Sequence, residues 1–217
     1  MKKSLQKAHA STAGASVIEI LMVVAIILII SAISIPYMWN YKKLYKSEDQ
    51  SLRMIDLMRE GGQLALVKRK TIRFEIDLTD NALLLIDEDG ANPDVQLKKI
   101  PLELTRDVRV DAIPSGISKP NPPNYTDVAF AIDAVGHKVG STTVTGHNIW
   151  SCRFQADGSV VNNGGTPVST NIYIWPPVST GSLTPRNMGE VRAITMFGGS
   201  GAIRYWKWTG AAFAPYQ

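Results

Sequence analysis

The chain has 217 residues, 45% of them apolar and 19% charged, with a formal charge of +4. That composition excludes a disordered chain and leaves room for one substantial core or two small domains. Lys2, Lys3 and Lys7 carry most of the excess charge, so the chain beyond Gly14 is nearly neutral and its charge says little about partners.

The first element in chain order is a basic leader ending in Ala13-Gly14-Ala15-Ser16. Residues 20–39 then lack Asp, Glu, Lys, Arg and His. At about 1.5 Å per helical residue, a run of about 20 matches the hydrocarbon thickness of a bilayer. The upstream lysines place the start of the chain in the cytoplasm and the rest outside. A secretory signal peptide shares the basic start, but here the apolar run is longer and the small-residue break precedes it. Cleavage between Gly14 and Ala15 discards the lysines and keeps the helix. A plain uncleaved anchor is the alternative, and it leaves Glu19 unexplained.

A carboxylate inside an apolar helix costs several kcal/mol unless it is protonated, partnered or interfacial. Cutting after Gly14 frees an α-amine on Ala15, with a reference pKa of about 7.7–8.0. Glu19 stands about one helical turn away. Opposite charges attract strongly at low dielectric, so Glu19 is expected to capture the amine of a neighbouring subunit and set its axial register. Pairing within one subunit is equally open. Pro36 lacks a backbone donor and crowds the preceding turn, which predicts a kinked helix continuing past it. The alternative is a helix end at the membrane surface, anchored by Tyr37, Trp39 and Tyr41.

Gly14-Ala15-Ser16-Val17-Ile18-Glu19, the apolar stretch and Pro36 together resemble the N-terminus of type IV pilins and pseudopilins. Counted from Ala15, Glu19 is fifth and Pro36 twenty-second, as in that family. The resemblance implies cleavage after Gly14 by a prepilin peptidase, N-methylation of Ala15, and subunit assembly through Glu19 and Pro36. Ala15 replaces the family's usual phenylalanine, which puts the efficiency of methylation in question.

Beyond Pro36, Leu52, Ile55, Met58, Gly62 and Ala65 or Leu66 fall at helical spacing, a face able to lie on a sheet. Gly61-Gly62 weakens the helix by about 1 kcal/mol per glycine and signals either close approach to a strand or a bend. Lys42, Lys43, Lys46, Glu48 and Asp49 form an expected solvated face, with a lipid-surface role as the alternative. Ile72, Phe74, Ile76 and Leu78 alternate with Arg73, Glu75 and Asp77, predicting an antiparallel strand packed on one side. After a turn at Thr79-Asp80-Asn81, strands are predicted at 82–86, 102–110, 128–132, 148–154, 172–175, 191–197 and 202–208. The proline-rich segment 113–125 predicts an exposed loop.

The expected fold class is α+β: a long N-terminal transmembrane helix, then an antiparallel, two-sheet, sandwich-like domain. The expected organisation is a leader over 1–14, a transmembrane assembly helix over 15–39, an amphipathic continuation over 40–69 and a periplasmic β-rich domain over 70–217. Phe154-Gln155-Ala156-Asp157-Gly158 and the hairpin through 198–201 extend the resemblance to H-type minor pseudopilins and FimT-like minor pilins, with Ala156 in place of a proline. Physically, Asp157-Gly158 is a good hairpin turn.

No nucleophile–base pair, P-loop or dinucleotide fingerprint occurs, and His9, His137 and His147 lack ligand spacing, so no enzyme, metal or cofactor is predicted. Cys152 is the only cysteine, which excludes an intramolecular disulfide; a small buried side chain is its expected role. The acidic run 87–94 offers oxygens to Ca²⁺ but lacks EF-hand order, so a plain acidic turn is the better reading. Arg204, Trp206 and Lys207 are the candidate DNA contacts, if exposed, since cations steer phosphates and aromatics stack on bases. Some FimT-like minor pilins bind DNA through Gly-Arg-x-Arg; here Gly201-Ala202-Ile203-Arg204 lacks one arginine. Burial of Trp206 and Trp208 in the core or an interface is the alternative.

The resemblance thus implies a non-catalytic minor pilin or pseudopilin in the bacterial inner membrane, priming or capping a type IV pilus-like filament of a secretion or pilus machine. Its implied partners are the prepilin peptidase, other minor and major pilins or pseudopilins, and the inner-membrane assembly platform. A DNA-binding minor pilin and a single-span anchored binding protein outside any filament are the competing readings.

Overall fold

The computed structural model describes residues 16–88, 94–133, 136–139 and 141–216, with backbone alone over 36–44. The chain falls into two compact units, residues 1–42 and 43–217. The predicted cleavage and methylation positions, Gly14 and Ala15, lie outside the described residues.

Among the described residues the first element is one helix, α1 (Val17–Lys68), and the continuation expected past Pro36 is present within it. Its uncharged aliphatic stretch keeps every interior backbone bond within the segment, as an apolar surrounding demands. In the second unit α1 buries Ser47, Gln50, Ser51, Met54, Ile55, Leu57, Met58 and Ala65. Leu52, expected in that stripe, is instead 46% exposed, and of the alternatives Ala65 and Leu66 it is Ala65 that is buried. The first turns in this unit dock through the polar side chains of Ser47, Gln50 and Ser51, which an apolar pattern does not register.

Thirteen strands follow in the described residues: β1 (Ile72–Asp77), β2 (Ala82–Asp87), β3 (Val95–Pro101), β4 (Thr126–Asp127), β5 (Ala131–Ile132), β6 (His137–Val139), β7 (Thr142–Val144), β8 (Asn148–Phe154), β9 (Val160–Val161), β10 (Thr170–Ile174), β11 (Arg192–Phe197), β12 (Ala202–Trp208) and β13 (Phe213–Pro215). They form an eight-stranded sheet, β5-β8-β1-β2-β3-β6-β7 with β9 on β8, and a five-stranded sheet, β13-β12-β11-β10-β4. The α+β class stands, but the sheets are mixed rather than purely antiparallel, because β3–β6 and β4–β10 run parallel. Segment 102–110, expected as a strand, contributes only a bridge from Arg109 to Trp175.

The main core joins α1 to both sheets: Met54, Met58, Phe74, Leu85, Cys152, Ile174 and Ile194 belong to one buried cluster. The helix therefore fills space that a simple sandwich fills sheet against sheet. Close approach explains Gly61, since a Cβ there would lie 2.9 Å from Leu85 Cδ2 and 3.3 Å from Phe154 Cδ2. A second cluster covers the other face of the five-stranded sheet, where Ile117 packs with Tyr173, Trp175, Trp206 and Trp208. The proline-rich loop is thus not merely exposed; it lids that face. Nor is β1 packed on one side only. Every residue of β1 is buried, Arg73, Glu75 and Asp77 included.

Candidate functional site

Within α1, Val17–Ile35 is long and apolar enough to cross a membrane, and none of this stretch is buried in the structure. Water solvates such a surface poorly, and its length and composition are compatible with a bilayer. Glu19 sits in the first turn of α1. The amides of Glu19 and Ile20 point back to the Ser16 carbonyl at 2.9 and 3.1 Å. Ser16 and Glu19 therefore hold the N-cap and N3 spacing of a capping box, with the carboxylate at the positive end of the helix dipole. This spacing is legible in Ser16-x-x-Glu19 itself.

Further along α1, two of the charges expected to be solvated, Lys46 and Glu48, lock the helix to the domain, whereas Asp49 is exposed as expected and pairs with Arg53 one turn on. The side chains of Lys42 and Lys43 lie outside the described residues. Lys46 Nζ bonds Glu103 at 2.8 Å and Asp107 at 3.0 Å. Ser47 Oγ donates to the Glu190 carbonyl at 2.9 Å, and Gln50 Oε1 accepts from the Glu103 amide at 2.9 Å. Glu48 receives Lys207 at 2.7 Å and Arg192 at 3.1 Å. Burial alone would raise the Glu48 carboxyl, but hydrogen bonds from Lys207 and Arg192 outweigh it and hold the group below its usual range. A depressed folded pKa means stability that is present above the unfolded value of 4.5 and lost as pH falls through the folded one. Glu48→Gln is accordingly expected to lower unfolding stability at pH 7 by about 1–2 kcal/mol, the exposed edge limiting the effect. The deficit relative to the parent should close in acid. Urea midpoints measured across pH check this; a deficit unchanged at low pH would show that charge is not the cause.

The C-terminal candidates separate. Arg204 is exposed and lies over the rings of Phe197 and Trp206, at 5.5 and 5.4 Å. Trp206 is only 4% exposed, and its indole N–H donates to Thr195 Oγ1 at 2.8 Å. Lys207 is held between Glu48 and the Tyr216 ring, 3.6 Å from its centroid. The exposed stacking surface that DNA capture needs is therefore not formed by these three residues, and Trp206 takes the core alternative. Cys152 is fully buried, and burial pushes its thiol up, consistent with a packing role.

A polar centre that the sequence reading did not foresee covers the other face of β1. Arg73 Nη1 meets Glu88 Oε1 at 2.8 Å, and Nη2 donates to the Gly136 carbonyl at 2.6 Å. Glu88 also receives Arg153, and Asp87 faces Lys70 at 3.6 Å, so the described carboxylates of the acidic run already have cations. Asp77 bonds His147 Nδ1 at 2.6 Å and raises that imidazole. Burial pushes Glu75 up to about 7 against the pull of Arg73, while burial and Arg73 lower the facing His137. Alternation along β1 displayed these polar residues; what it concealed is that Asp133, Gly136, His137 and His147 come to lie against them.

Comparison with protein-family models, curated proteins and solved structures returns no match for this chain.

Proposed function

We propose that the chain is a non-catalytic minor subunit of a type IV pilus-like filament, a minor pilin or pseudopilin that primes or caps assembly. One observation carries the reading: a wholly exposed, uncharged apolar helix begins at a lone carboxylate, Glu19, and its continuation becomes part of a sheet domain's core. An ordinary anchor needs the apolar length but no acid at its head.

In this reading a prepilin peptidase cuts between Gly14 and Ala15, and Ala15 is the residue then N-methylated. Val17–Ile35 holds the single-pass subunit in the inner membrane, with the domain on the periplasmic side. Glu19 guides entry beside other minor and major pilins at the assembly platform, and Pro36 marks the level at which the helix leaves the bilayer. Mass spectrometry of the protein recovered from its native membrane tests this directly. The expected N-terminus is Ala15, carrying a free or methylated amine. A chain beginning at Met1, or beyond Pro36, overturns the proposal and leaves the plain anchor or a secreted domain in its place.

A further inference from the structure

The centre on β1 does not use all its donors. Glu75 is fully buried, yet neither of its oxygens takes a hydrogen bond, and His137 Nδ1, in a residue 5% exposed, makes none either. These two groups face each other at 3.7 Å, and a carboxylate oxygen of Asp133 lies within 4.8 Å of both. A buried carboxylate without partners costs several kcal/mol unless it is neutralised or given a cation. Arg73 is the nearest cation, its Nε 3.4 Å from Glu75 Oε2, but that nitrogen forms no hydrogen bond. Its outer nitrogens are committed to Glu88 and Gly136.

The geometry points to a divalent transition-metal site made by Glu75, Asp133 and His137, with Zn²⁺ as the ion. One imidazole and two carboxylates suit zinc, whereas Ca²⁺ and Mg²⁺ take oxygen ligands. Donors bonded at about 2.0–2.2 Å stand about 3.4 Å apart around a tetrahedral ion. The Glu75–His137 separation of 3.7 Å therefore needs only slight closing. Three protein ligands leave a fourth position for water, and a cleft lined by Arg73, Asp133 and Arg153 reaches this side of the sheet. The surrounding charge is mixed: Asp77, Glu88 and Asp94 add to the ligand carboxylates, and Arg73, Arg153 and His147 oppose them. The ion fastens the segment entering β6 onto β1, a structural staple independent of the filament reading. The neighbouring group of Asp77, Asp80 and His147 offers no such site: His147 is bonded to Asp77 and Asp80 to Lys99.

The full chain, purified in detergent micelles and stripped with chelator, is titrated with Zn²⁺ alone and then desalted for elemental analysis. About one retained equivalent and a raised unfolding midpoint are expected, because an ion bound only by the folded state stabilises it. His137→Gln and Glu75→Gln should each weaken binding by more than the roughly 10–100-fold typical of losing a second-sphere group. His147→Gln should bind as the parent does. No retained zinc in the parent, full retention in His137→Gln, or equal loss in His147→Gln overturns the site. Co²⁺ loaded into the unmutated chain guards against misfolded variants: its spectrum should lack thiolate charge transfer. A thiolate band would place the ion on Cys152 instead and equally overturn the assignment.

Discussion

Replacing Gly198 with alanine is expected to destabilise the domain severely, although it adds only one methyl group, at the buried first position of a turn. A Cβ at Gly198 would lie 2.4 Å from Val168 N, 2.7 Å from Val168 O and 2.8 Å from Val168 C. All three are backbone atoms, so no side chain can swing away. The same residue is fixed from two other directions: its carbonyl accepts the Val160 amide at 2.7 Å and its amide donates to Ser169 Oγ at 3.2 Å. Val160 belongs to the eight-stranded sheet, whereas Gly198 closes β11 of the other, so the clash falls on a seam between the two sheets. Overpacking with backbone displacement costs about 3 kcal/mol, a large share of the roughly 5–15 kcal/mol that holds a domain together. For a domain of this size the thermal midpoint should fall by on the order of 10 °C. Gly199→Ala in the same turn is the control, because its Cβ would meet nothing within 4 Å. Equal losses in the two variants would refute the steric account and point to turn entropy.

That seam could not be read from the sequence, and the reason is general. Period-two alternation announced β1 and β8, because Ile72, Phe74 and Ile76, and Trp150, Cys152 and Phe154, point into one core at every second position. It also marked 102–110 as a strand, since Leu102, Val108 and Val110 do reach the core. There the apolar contacts come from a loop, and alternation records burial, not backbone pairing. The reverse error hid β3, whose Lys98 and Lys99 face outward to Glu60 and Asp80 and leave little apolar pattern. Polar docking was invisible for a related reason. Glu48 and Lys207 are 159 positions apart, and nothing local to either announces the other. The centre at Glu75 shows the same limit: its residue types were in plain view on β1, but their covering by His137 and Asp133 is a tertiary event. By contrast, the apolar length of Val17–Ile35 required no partner to be recognised, because it is a property of consecutive residues.

Glu19→Ala and Glu19→Gln together separate the two roles open to that carboxylate, and the pair should show the largest functional effect in the chain. As the third residue of α1, Glu19 suits the helix start through capping-box spacing with Ser16 and through the dipole. A glutamine at the same place keeps the hydrogen-bonding reach of a capping residue and discards the charge. Capture of a neighbour's α-amine depends on the charge itself. Breaking a buried ion pair by removing one partner costs about 3–5 kcal/mol, because the other charge is left unpaired. At 1.4 kcal/mol per factor of ten, incorporation should drop at least roughly 100-fold in both variants. Under the proposed function, cleavage after Gly14 should persist in both variants, since the substitution lies beyond the cleaved bond and leaves the apolar run unchanged. The measurement is the ratio of processed subunit in sheared or crosslinked filaments to that left in the membrane. Wild-type incorporation of Glu19→Gln alongside failure of Glu19→Ala would assign the residue to capping and remove its assembly role. Failure of both, with processing intact, leaves the charge as the cause, because it is the one property that alanine and glutamine lack in common.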